Sequence, residues 1–318
     1  MQKPTFQSLF DSLWTFGALL SLGEAGAFPL LARGATLDEI FSRTKIPESI
    51  LKAILNVLIS AEFINSAKDT FKATGDLAEK FKSEGTSRTL GKMYSNFGQV
   101  RELIQASKLH QLKAGWLYTD ENILQAQGAF SEIVVMDFIP LFPDIKTLLQ
   151  KPGAKFLDVG AGVGKIALKA CELYPNITAV ALEPAEVPYF LAEKNLAASS
   201  FGNRLKLLKM GVQDLNEDET FDVIWVAQAF IFDEHFIPSL KKLKKALKPG
   251  GILLTVEFHE KPLEEKTLEF YTMDLMSALY GVIRTPTEVI NLLRMNDFRN
   301  IKSLPYKEYV DVIIAQVF

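Results

Sequence analysis

Residues 156–165 read FLDVGAGVGK, and this stretch constrains the fold more than any other part of the chain. An apolar run that reaches Asp158 is typical of a buried strand. Three glycines follow before a helical segment begins: Gly160, Gly162 and Gly164. Glycines there let the backbone turn tightly and approach a ligand, which would lie near the start of the helix. The stretch therefore predicts a cofactor-binding loop at the carboxyl end of a parallel strand.

A carboxylate further along the chain supports this interpretation. Glu183 ends the next apolar run, in TAVALEP, after the intervening helical segment GKIALKACELY. A carboxylate at the end of the second strand can accept hydrogen bonds from ribose hydroxyls. A glycine motif alone is weak evidence, but strand, glycine loop, helix, strand and acid in this order is specific. The order predicts a ligand that contains ribose.

Strand-like and helix-like segments alternate from about residue 154, which predicts an α/β fold with a Rossmann-like, largely parallel sheet. The further strands are predicted in RLKLLKM, FDVIWVAQAF and ILLTVEF. Helices are predicted in VPYFLAEKNLAASS and HFIPSLKKLKKAL. The C-terminal stretch NDFRNIKSLPYKEYVDVIIAQVF predicts two more strands as a hairpin, so the expected sheet has seven strands.

The chain before this sheet has helical periodicity, with apolar residues spaced three and four apart. Helices are predicted over 7–23, 37–43 and 47–60. Thr36 and Pro47 stand where helix starts are expected. A hairpin is predicted in EFINSAKDTFKAT, which completes a winged-helix pattern. The apolar run LWTFGALLSLG is too short to span a bilayer and is predicted to form a buried amphipathic helix.

The third predicted helix of this region argues against binding to nucleic acid. A recognition helix presents lysine or arginine to phosphates and base edges. PESILKAILNVLISAEF contains only Lys52 and is otherwise largely apolar. The formal net charge of -3 also gives no general attraction to nucleic acid or to an anionic membrane. The surplus apolar surface instead predicts burial against another chain or domain.

Cysteine and histidine usage narrows the class of site. The single cysteine, Cys171, excludes a disulfide framework and predicts a reducing compartment such as the cytoplasm. The three histidines, His110, His235 and His259, are far apart in the sequence. No cluster of potential ligands is present, so no metal site is predicted.

Two cofactor classes use a glycine loop of this kind. The dinucleotide fingerprint G-x-G-x-x-G would need glycine at position 165, where this chain has Lys165. An acid at position 158, before the first glycine, suits a cationic amino-acid ligand better than a pyrophosphate. S-adenosylmethionine (SAM) carries a sulfonium and an ammonium group, so Asp158 is complementary to it in charge. The sequence predicts SAM, with a nicotinamide dinucleotide as the weaker alternative.

FLDVGAGVG, ALEP, FDVIWVAQAF and ALKPGGILLTVE resemble the successive motifs of class I SAM-dependent methyltransferases. The winged-helix pattern at the front and RTPTEVINLLRMNDFRNI near the end are similar to the small-molecule O-methyltransferases of the caffeic acid, acetylserotonin and polyketide-tailoring kind. The resemblance implies three regions: a winged-helix dimerisation domain over 1–100, a helical linker over 101–150 that contributes to the substrate pocket, and a SAM-binding domain over 151–318. It also implies a homodimer and a small-molecule substrate.

The same resemblance assigns cofactor contacts. The loop glycines would pass along the methionine part beside Asp158, and Glu183 with Pro184 would meet the ribose. The segment GVQDL would pass the adenine. Many relatives carry an aspartate where this chain has Gly211 or Val212, so adenine recognition is assigned to Val212, Gln213 and Asp214 or their backbone. Ala227 and Gln228, at the end of the fourth strand of the sheet, would lie close to the methyl group.

The family's usual base is missing. In plant-type members a histidine after the fourth strand deprotonates the substrate. Alignment through DEH sets Phe230 at that histidine and Ile231 at the aspartate that follows it. Glu257 matches one acid that steadies the base, but here it would have nothing to hold, and Ile283 replaces the other acid. His235 and His259 are the remaining weak candidates for a base, so the catalytic residue is left unassigned.

A dry aromatic pocket can still accelerate methyl transfer, because the sulfonium charge disperses in the transition state. Phe230 and Phe232 are predicted as pocket walls, although both rings could equally be core. Four further pocket candidates are Met136, Phe138, Tyr271 and Tyr280. The predicted function is SAM-dependent methylation of a small aromatic or polyketide-like molecule. The alternatives are a C- or N-methyltransferase, a relative repurposed for a reaction such as cyclisation, and a SAM-sensing regulator.

Overall fold

A computed structural model describes residues 5–83, 85–110, 119–258, 268, 271–272, 275, 284–306 and 310–318. The chain divides into two compact units, with the boundary between Val100 and Arg101. None of the helices in these described ranges is long and apolar enough to cross a membrane.

The first unit is mainly helical. Its helices are α1 (Phe6–Glu24), α2 (Phe28–Arg33), α3 (Leu37–Thr44), α4 (Glu48–Ser60), α5 (Gly75–Ser83) and the start of α6 (Thr86–Lys108). A small antiparallel sheet has the order β1-β3-β2, from β1 (Ala35–Thr36), β2 (Ile64–Ala67) and β3 (Thr70–Ala73). Thr36 caps α3, since its hydroxyl accepts from the Glu39 backbone N–H while the Glu39 carboxylate accepts from the Thr36 N–H. The predicted helices and hairpin all form in the predicted order.

The prediction that the run LWTFGALLSLG forms a buried helix is wrong for the first part of that run. Only the last turns, from Leu19 onward, contain buried residues. The earlier side chains remain largely in solvent, with Phe6 76% and Trp14 75% exposed. The core of the first unit takes in Leu19 and Leu22 of α1 but none of the large side chains before them. Helical periodicity therefore identified the helix, whereas burial of its first three turns depends on contacts that the single chain does not supply within the described ranges.

The second unit is built on a seven-stranded sheet with the order β6-β5-β4-β7-β8-β10-β9. Its strands are β4 (Lys155–Val159), β5 (Thr178–Leu182), β6 (Leu205–Leu208), β7 (Phe221–Val226), β8 (Leu247–Phe258), β9 (Arg299–Tyr306) and β10 (Val310–Gln316). Strands β4 to β8 are parallel, and β10 pairs antiparallel with both β8 and β9. The seven strands and the terminal hairpin confirm the predicted fold class.

Helices cover both faces of this sheet. They are α7 (Glu121–Ser131), α8 (Pro143–Gln150), α9 (Lys165–Leu173), α10 (Glu186–Ala197), α11 (Asp233–Ala246) and α12 (Pro286–Met295), with a π-helical turn at Val134–Phe138. Alternate residues of β7 belong to opposite cores: Val223 and Trp225 pack on one face, and Ile224 and Val226 on the other. Burial on both faces explains the unbroken apolar run of this strand.

Strand order reverses between β4 and β7, because β4 leads to β5 on one side and lies against β7 on the other. Such a reversal opens a crevice at the carboxyl ends of the strands. The glycine loop follows β4, and the stretch QAF follows β7 as a short 3-10 turn. The fold thus brings the two segments that the sequence singled out to neighbouring strand ends.

Candidate active site

The loop after β4 takes a backbone conformation that favours glycine. Gly160, Gly162 and Gly164 have φ values of 76°, 55° and 77°, in the left-handed region where other side chains are strained. A Cβ atom on Gly160 would lie 3.5 Å from the Ala227 Cβ, and one on Gly164 would lie 3.4 Å from the Ala192 Cβ. A Cβ on Gly162 would meet no atom within 4 Å. The outer two glycines allow close packing, and the middle one leaves open space for a ligand.

Glu183 holds this loop as well as ending β5. Its Oε2 accepts from the Gly162 N–H at 2.8 Å, and its Oε1 accepts from the Ala185 N–H at 2.8 Å. Burial raises the pKa of Glu183 to about 7, against the opposing effect of these two backbone donors. Each carboxylate oxygen keeps a further lone pair for a hydroxyl donor. Sequence reasoning assigned Glu183 to the ribose alone and missed its contact with the loop.

Asp158 is fully buried in β4, two residues before the first glycine. Its Oδ2 accepts from the Ala167 N–H of α9 at 3.1 Å, and its Oδ1 has no hydrogen-bond partner. Burial and, to a smaller extent, the charge of Glu183 raise the pKa of Asp158 to about 7, against the opposing effect of the Ala167 hydrogen bond. A buried acceptor without a partner beside an open glycine loop fits a cationic donor such as the ammonium group of SAM.

The predicted adenine segment forms a 3-10 turn over Val212–Asp214. Val212 is buried in the core below the sheet, while Gln213 and Asp214 are exposed. A Cβ on Gly211 would come within 2.3 Å of the Gln213 Oε1, so the Gln213 side chain folds over Gly211. Any adenine contact would therefore come from the exposed pair or the backbone, and the assignment stays a prediction. Pro184 follows Glu183 and is exposed.

The end of β7 is fixed by a residue that sequence reasoning did not assign. Arg284 is buried and donates to the side-chain Oε1 of Gln228, to the Gln228 carbonyl at 3.3 Å and to the Ile231 carbonyl at 3.4 Å. It also pairs with the Asp233 carboxylate, and its guanidinium lies 4.7 Å from the centre of the Phe236 ring. The only signal in the sequence was that Arg284 directly precedes the predicted helix start TPTE. Its partners could not be predicted, because they lie more than 40 residues earlier in the chain.

Glu257 is not isolated, contrary to the expectation that it would have nothing to hold. It is 3% exposed at the end of β8, and Gln228, 1% exposed, lies at the end of the neighbouring strand. Burial raises the pKa of Glu257 well above its usual range. The positive charge of Arg284 and, more weakly, the Gln228 amide oppose this rise, whereas the charge of Glu288 adds to it. The Glu257 Oε1 and the Gln228 Nε2 have no hydrogen-bond partner that meets normal geometry. Glu257, the acid expected to support a base, is thus surrounded by polar side chains even though no histidine stands at position 230.

The remaining candidates lie in different surroundings. The Phe230 ring is 42% exposed, and Phe232 is half-buried as the residue before α11. Asp233 is the first residue of this helix. Met136 is 42% exposed in the π-helical turn. Phe138 is buried in the core and packs edge-on against Tyr306, with ring centres 5.0 Å apart.

Of the histidines, His235 is exposed in the first turn of α11, and His110 follows α6. Tyr271 is 44% exposed. His259, Tyr280 and Ile283 lie outside the described residues. Within the described ranges, no group of three or more histidine, cysteine or acidic side chains could hold a metal ion. The catalytic and substrate assignments therefore stay predictions.

Comparison with known families bears on the segment that carries the glycine loop. Residues 156–251 match the family described as methyltransferase domain. This segment is therefore similar to methyltransferase domains, for which the expected cofactor is SAM. The residues present fit the cofactor, since an open glycine loop lies beside a buried, unpartnered carboxylate oxygen.

Curated relatives match this domain over part of their length. The chain is 25% identical over 142 residues to the ubiquinone/menaquinone biosynthesis C-methyltransferase UbiE of Geotalea daltonii, which covers 43% of this chain and 60% of that protein. It is 35% identical over 75 residues to the tRNA1(Val) (adenine(37)-N6)-methyltransferase of Pedobacter heparinus, covering 24% of this chain and 32% of that protein. The methyltransferase domain therefore spans between about a third and 60% of these relatives.

Solved structures resemble the chain over nearly its full length. Human N-acetylserotonin methyltransferase in complex with SAM has a TM-score of 0.68 at 16% identity, covering 99% of both chains. An O-methyltransferase family protein from Burkholderia thailandensis has a TM-score of 0.69 at 14% identity, covering 97% of this chain and 96% of that one. The mitomycin 7-O-methyltransferase MmcR has a TM-score of 0.62 at 17% identity, covering 98% and 96%. The chain has the fold of these O-methyltransferases, with the helical N-terminal region included.

Proposed function

We propose that the protein is a SAM-dependent methyltransferase that acts on a small aromatic or polyketide-like molecule. The observation that carries the proposal is the open space at Gly162 beside two buried carboxylates, Asp158 and Glu183, in a methyltransferase domain. The likeness to O-methyltransferases that modify small molecules supports the substrate class.

Each part of SAM is bound by a different group of residues. Asp158 Oδ1 accepts from the ammonium group, and the glycine loop lies along the methionine part. Glu183 accepts from the ribose hydroxyls while it keeps its two bonds to the loop backbone. Gln213 and Asp214 border the adenine. When bound, SAM supplies a methyl group on a positively charged sulfur and leaves as S-adenosylhomocysteine (SAH).

Positioning and exclusion of water do most of the chemical work. Holding a nucleophile in line with the methyl group can lower the barrier by about 7–11 kcal/mol. Charge disperses as the methyl group moves, so an apolar pocket favours the transition state. Phe230 and Phe232, at the expected position of the base and just after it, act as walls of this pocket rather than as proton acceptors.

The protein acts as a homodimer through its first unit, which has a winged-helix arrangement. The exposed apolar side chains of α1 support this: Phe6, Leu9, Phe10, Leu13 and Trp14. A contiguous apolar face on a helix is typical of an interaction surface, because its exposure to water is unfavourable in free energy. A second copy offers the same face and can cover it symmetrically.

A C- or N-methyltransferase is the second candidate. The observation in its favour is the phenylalanine at position 230, since an amine or an electron-rich carbon needs little deprotonation before it attacks. The likeness to a C-methyltransferase over 142 residues points the same way. Mass spectrometry of the product, with localisation of the added methyl group, separates the two candidates.

Calorimetry with SAM and SAH tests the proposal directly. The wild type is expected to bind both with micromolar affinity. Glu183→Ala should bind at least about 100-fold more weakly, since it loses the ribose acceptor and the support of the glycine loop. Glu186→Ala is the matched control, because Glu186 is an exposed acid at the start of α10. Absence of SAM binding by the wild type would overturn the proposal.

A further inference from the structure

Two buried polar atoms that make no hydrogen bond of normal geometry lie at the ends of neighbouring strands. The Gln228 Nε2 is a donor at the end of β7, and the Glu257 Oε1 is an acceptor at the end of β8. Both residues are almost fully buried. Native proteins pair nearly all buried polar groups, so a donor and an acceptor left unpaired side by side require an explanation.

Arg284 fixes which end of the Gln228 amide is available. A guanidinium group carries donors only, so the amide atom that it contacts must be the oxygen. The amide nitrogen therefore points away from Arg284. Arg284 cannot rotate freely, since it is held by the Asp233 carboxylate and the Ile231 carbonyl. Gln228 thus presents a hydrogen-bond donor in a fixed direction.

The strand register sets Glu257 beside this donor. Trp225 of β7 pairs with Leu254 of β8, and the Thr255 hydroxyl donates to the Val226 carbonyl at 3.0 Å. Gln228 follows two residues after the end of β7, and its side-chain amide is close enough to the Glu257 carboxyl group to oppose the rise in the pKa of that group. Glu257 lies near the end of β8, which is the strand adjacent to β7, and adjacent strands lie about 4.8 Å apart.

The glycine loop lies on the other side of β7. Val159 of β4 pairs with Val226, and a Cβ on Gly160 would lie 3.5 Å from the Ala227 Cβ. Along this edge of the sheet, the glycine loop follows β4, Gln228 follows β7, and Glu257 lies near the end of β8. The donor and acceptor lie next to the end of β7 where the methyl group is expected.

The surroundings of Glu257 favour proton uptake. Burial raises its pKa well above the usual range, and Glu288 at the start of α12 adds to this rise. Arg284 opposes it, but Arg284 is already paired with Asp233 of α11. Asp311 is the partner of Glu257 in the register of β10, and Gln228, in the turn after β7, also acts on the Glu257 carboxyl group. A carboxyl group with a raised pKa is a better proton acceptor near neutral pH than an ordinary glutamate.

We propose that Gln228 and Glu257 together bind the hydroxyl group of the methyl acceptor, and that Glu257 receives its proton. A hydroxyl is the smallest group that offers one donor and one acceptor, so it satisfies both unpaired atoms at once. As the hydroxyl oxygen bonds to the methyl carbon, the methyl–sulfur bond breaks with its electron pair going to sulfur, and the hydroxyl proton passes to Glu257 Oε1. Glu257 is then a catalytic residue, and Gln228 and Arg284 are positioning residues. This inference rests on the proposed function.

Binding of 7-hydroxycoumarin and 7-methoxycoumarin to the SAH-loaded protein tests the inference without turnover. Fluorescence titration of the wild type should show about tenfold or greater preference for the hydroxyl compound, because a hydrogen bond to a carboxylate is lost in the ether. The preference should grow as pH rises and Glu257 ionises. In Glu257→Gln it should fall to about twofold and lose its pH dependence, while SAH affinity measured by calorimetry stays unchanged. Glu234→Gln, at an exposed acid in α11, is the matched control.

Turnover provides a second measurement. With SAM and a hydroxylated aromatic probe such as catechol or 7-hydroxycoumarin, Glu257→Gln should lower kcat/KM by about 10²–10⁴-fold and remove the rise of the rate with pH. A wild type that binds SAH but prefers neither coumarin, or binds neither, would overturn the inference, as would a preference that survives in Glu257→Gln. Failure of the proposed function is distinguishable, because in that case the wild type would bind neither SAM nor SAH.

Discussion

The carboxyl edge of the sheet has two halves that are built differently. In the cofactor half, at the ends of β4 and β5, Asp158 and Glu183 accept hydrogen bonds from backbone N–H groups of the loop and helices that follow. In the acceptor half, at the ends of β7 and β8, the Arg284 side chain ties together Gln228, Ile231 and Asp233. The first half depends on backbone conformation, whereas the second depends on one guanidinium group. If the proposed roles are right, we expect cofactor binding to survive changes at Arg284 that disable the acceptor half.

The largest expected effect is a pH dependence of stability in the cofactor half. Asp158 and Glu183 have pKa values of about 7 when folded, above their ordinary values of 3.8 and 4.5. The folded protein therefore binds more protons than the unfolded chain between these values. Its free energy of unfolding should fall as pH rises from about 4.5 to 7, by on the order of a few kcal/mol for each group. Urea unfolding without cofactor at pH 5 and pH 7.5 measures this.

Single variants assign the pH dependence to one half or the other. Asp158→Asn should remove part of the slope below pH 7, since asparagine does not titrate. Glu257→Gln should remove a separate part that belongs to the acceptor half, where burial also raises the pKa of the carboxyl group. A slope of the opposite sign in the wild type, or one that both variants keep in full, would contradict the burial of these charges.

Removal of the Arg284 guanidinium should disrupt the acceptor half alone. Arg284→Met leaves the Gln228 Oε1 and two carbonyl groups without their donor, at a cost of about 2–4 kcal/mol in unfolding free energy. SAM affinity should change less than threefold, because the cofactor half keeps its own contacts. Arg294→Met near the end of α12 is the control for loss of a charge. Equal losses of SAM affinity in Arg284→Met and Glu183→Ala would show that the halves are coupled.

A pair of glycines isolates the ligand space from backbone strain. Gly162 and Gly153 both have positive φ, and a Cβ on either would meet nothing within 4 Å. Alanine at each position should therefore cost about the same in stability, roughly 1–2 kcal/mol. Only Gly162→Ala puts a methyl group into the proposed cofactor space, so only it should weaken SAM binding, by about tenfold. Equal SAM affinity in the two variants would mean that the cofactor does not approach Gly162.

The cofactor half could be predicted because its requirements are local. Left-handed φ values select glycine, and a short, largely apolar run marks β4, the strand that leads into the loop. The helix start predicted at Thr36, in the first unit, was local in the same way, since the structure shows it capped together with Glu39 three residues later. Such features depend on a few consecutive residues, so they can be predicted from a single sequence.

The acceptor half could not be predicted in the same way. Gln228 and Arg284 are 56 positions apart, and only the fold brings them together. The sequence predicted no role for Glu257 in the absence of a histidine. Its neighbours, after β7 and in α12, could not be identified because only the folded chain brings them to it. The burial expected for α1 failed for a related reason, since the first turns of a helix can be covered only by contacts from outside its own sequence.

SAM calorimetry near pH 7, in two buffers with different enthalpies of ionisation, tests the central claim most directly. If Asp158 and Glu183 hold the cofactor, SAM binds with micromolar affinity and its positive charge lowers the pKa of Asp158. Protons are then released, and the observed heat differs between the buffers by an amount that Asp158→Asn reduces. No binding, or binding that is unaffected by both Asp158→Asn and Glu183→Ala, would contradict the account.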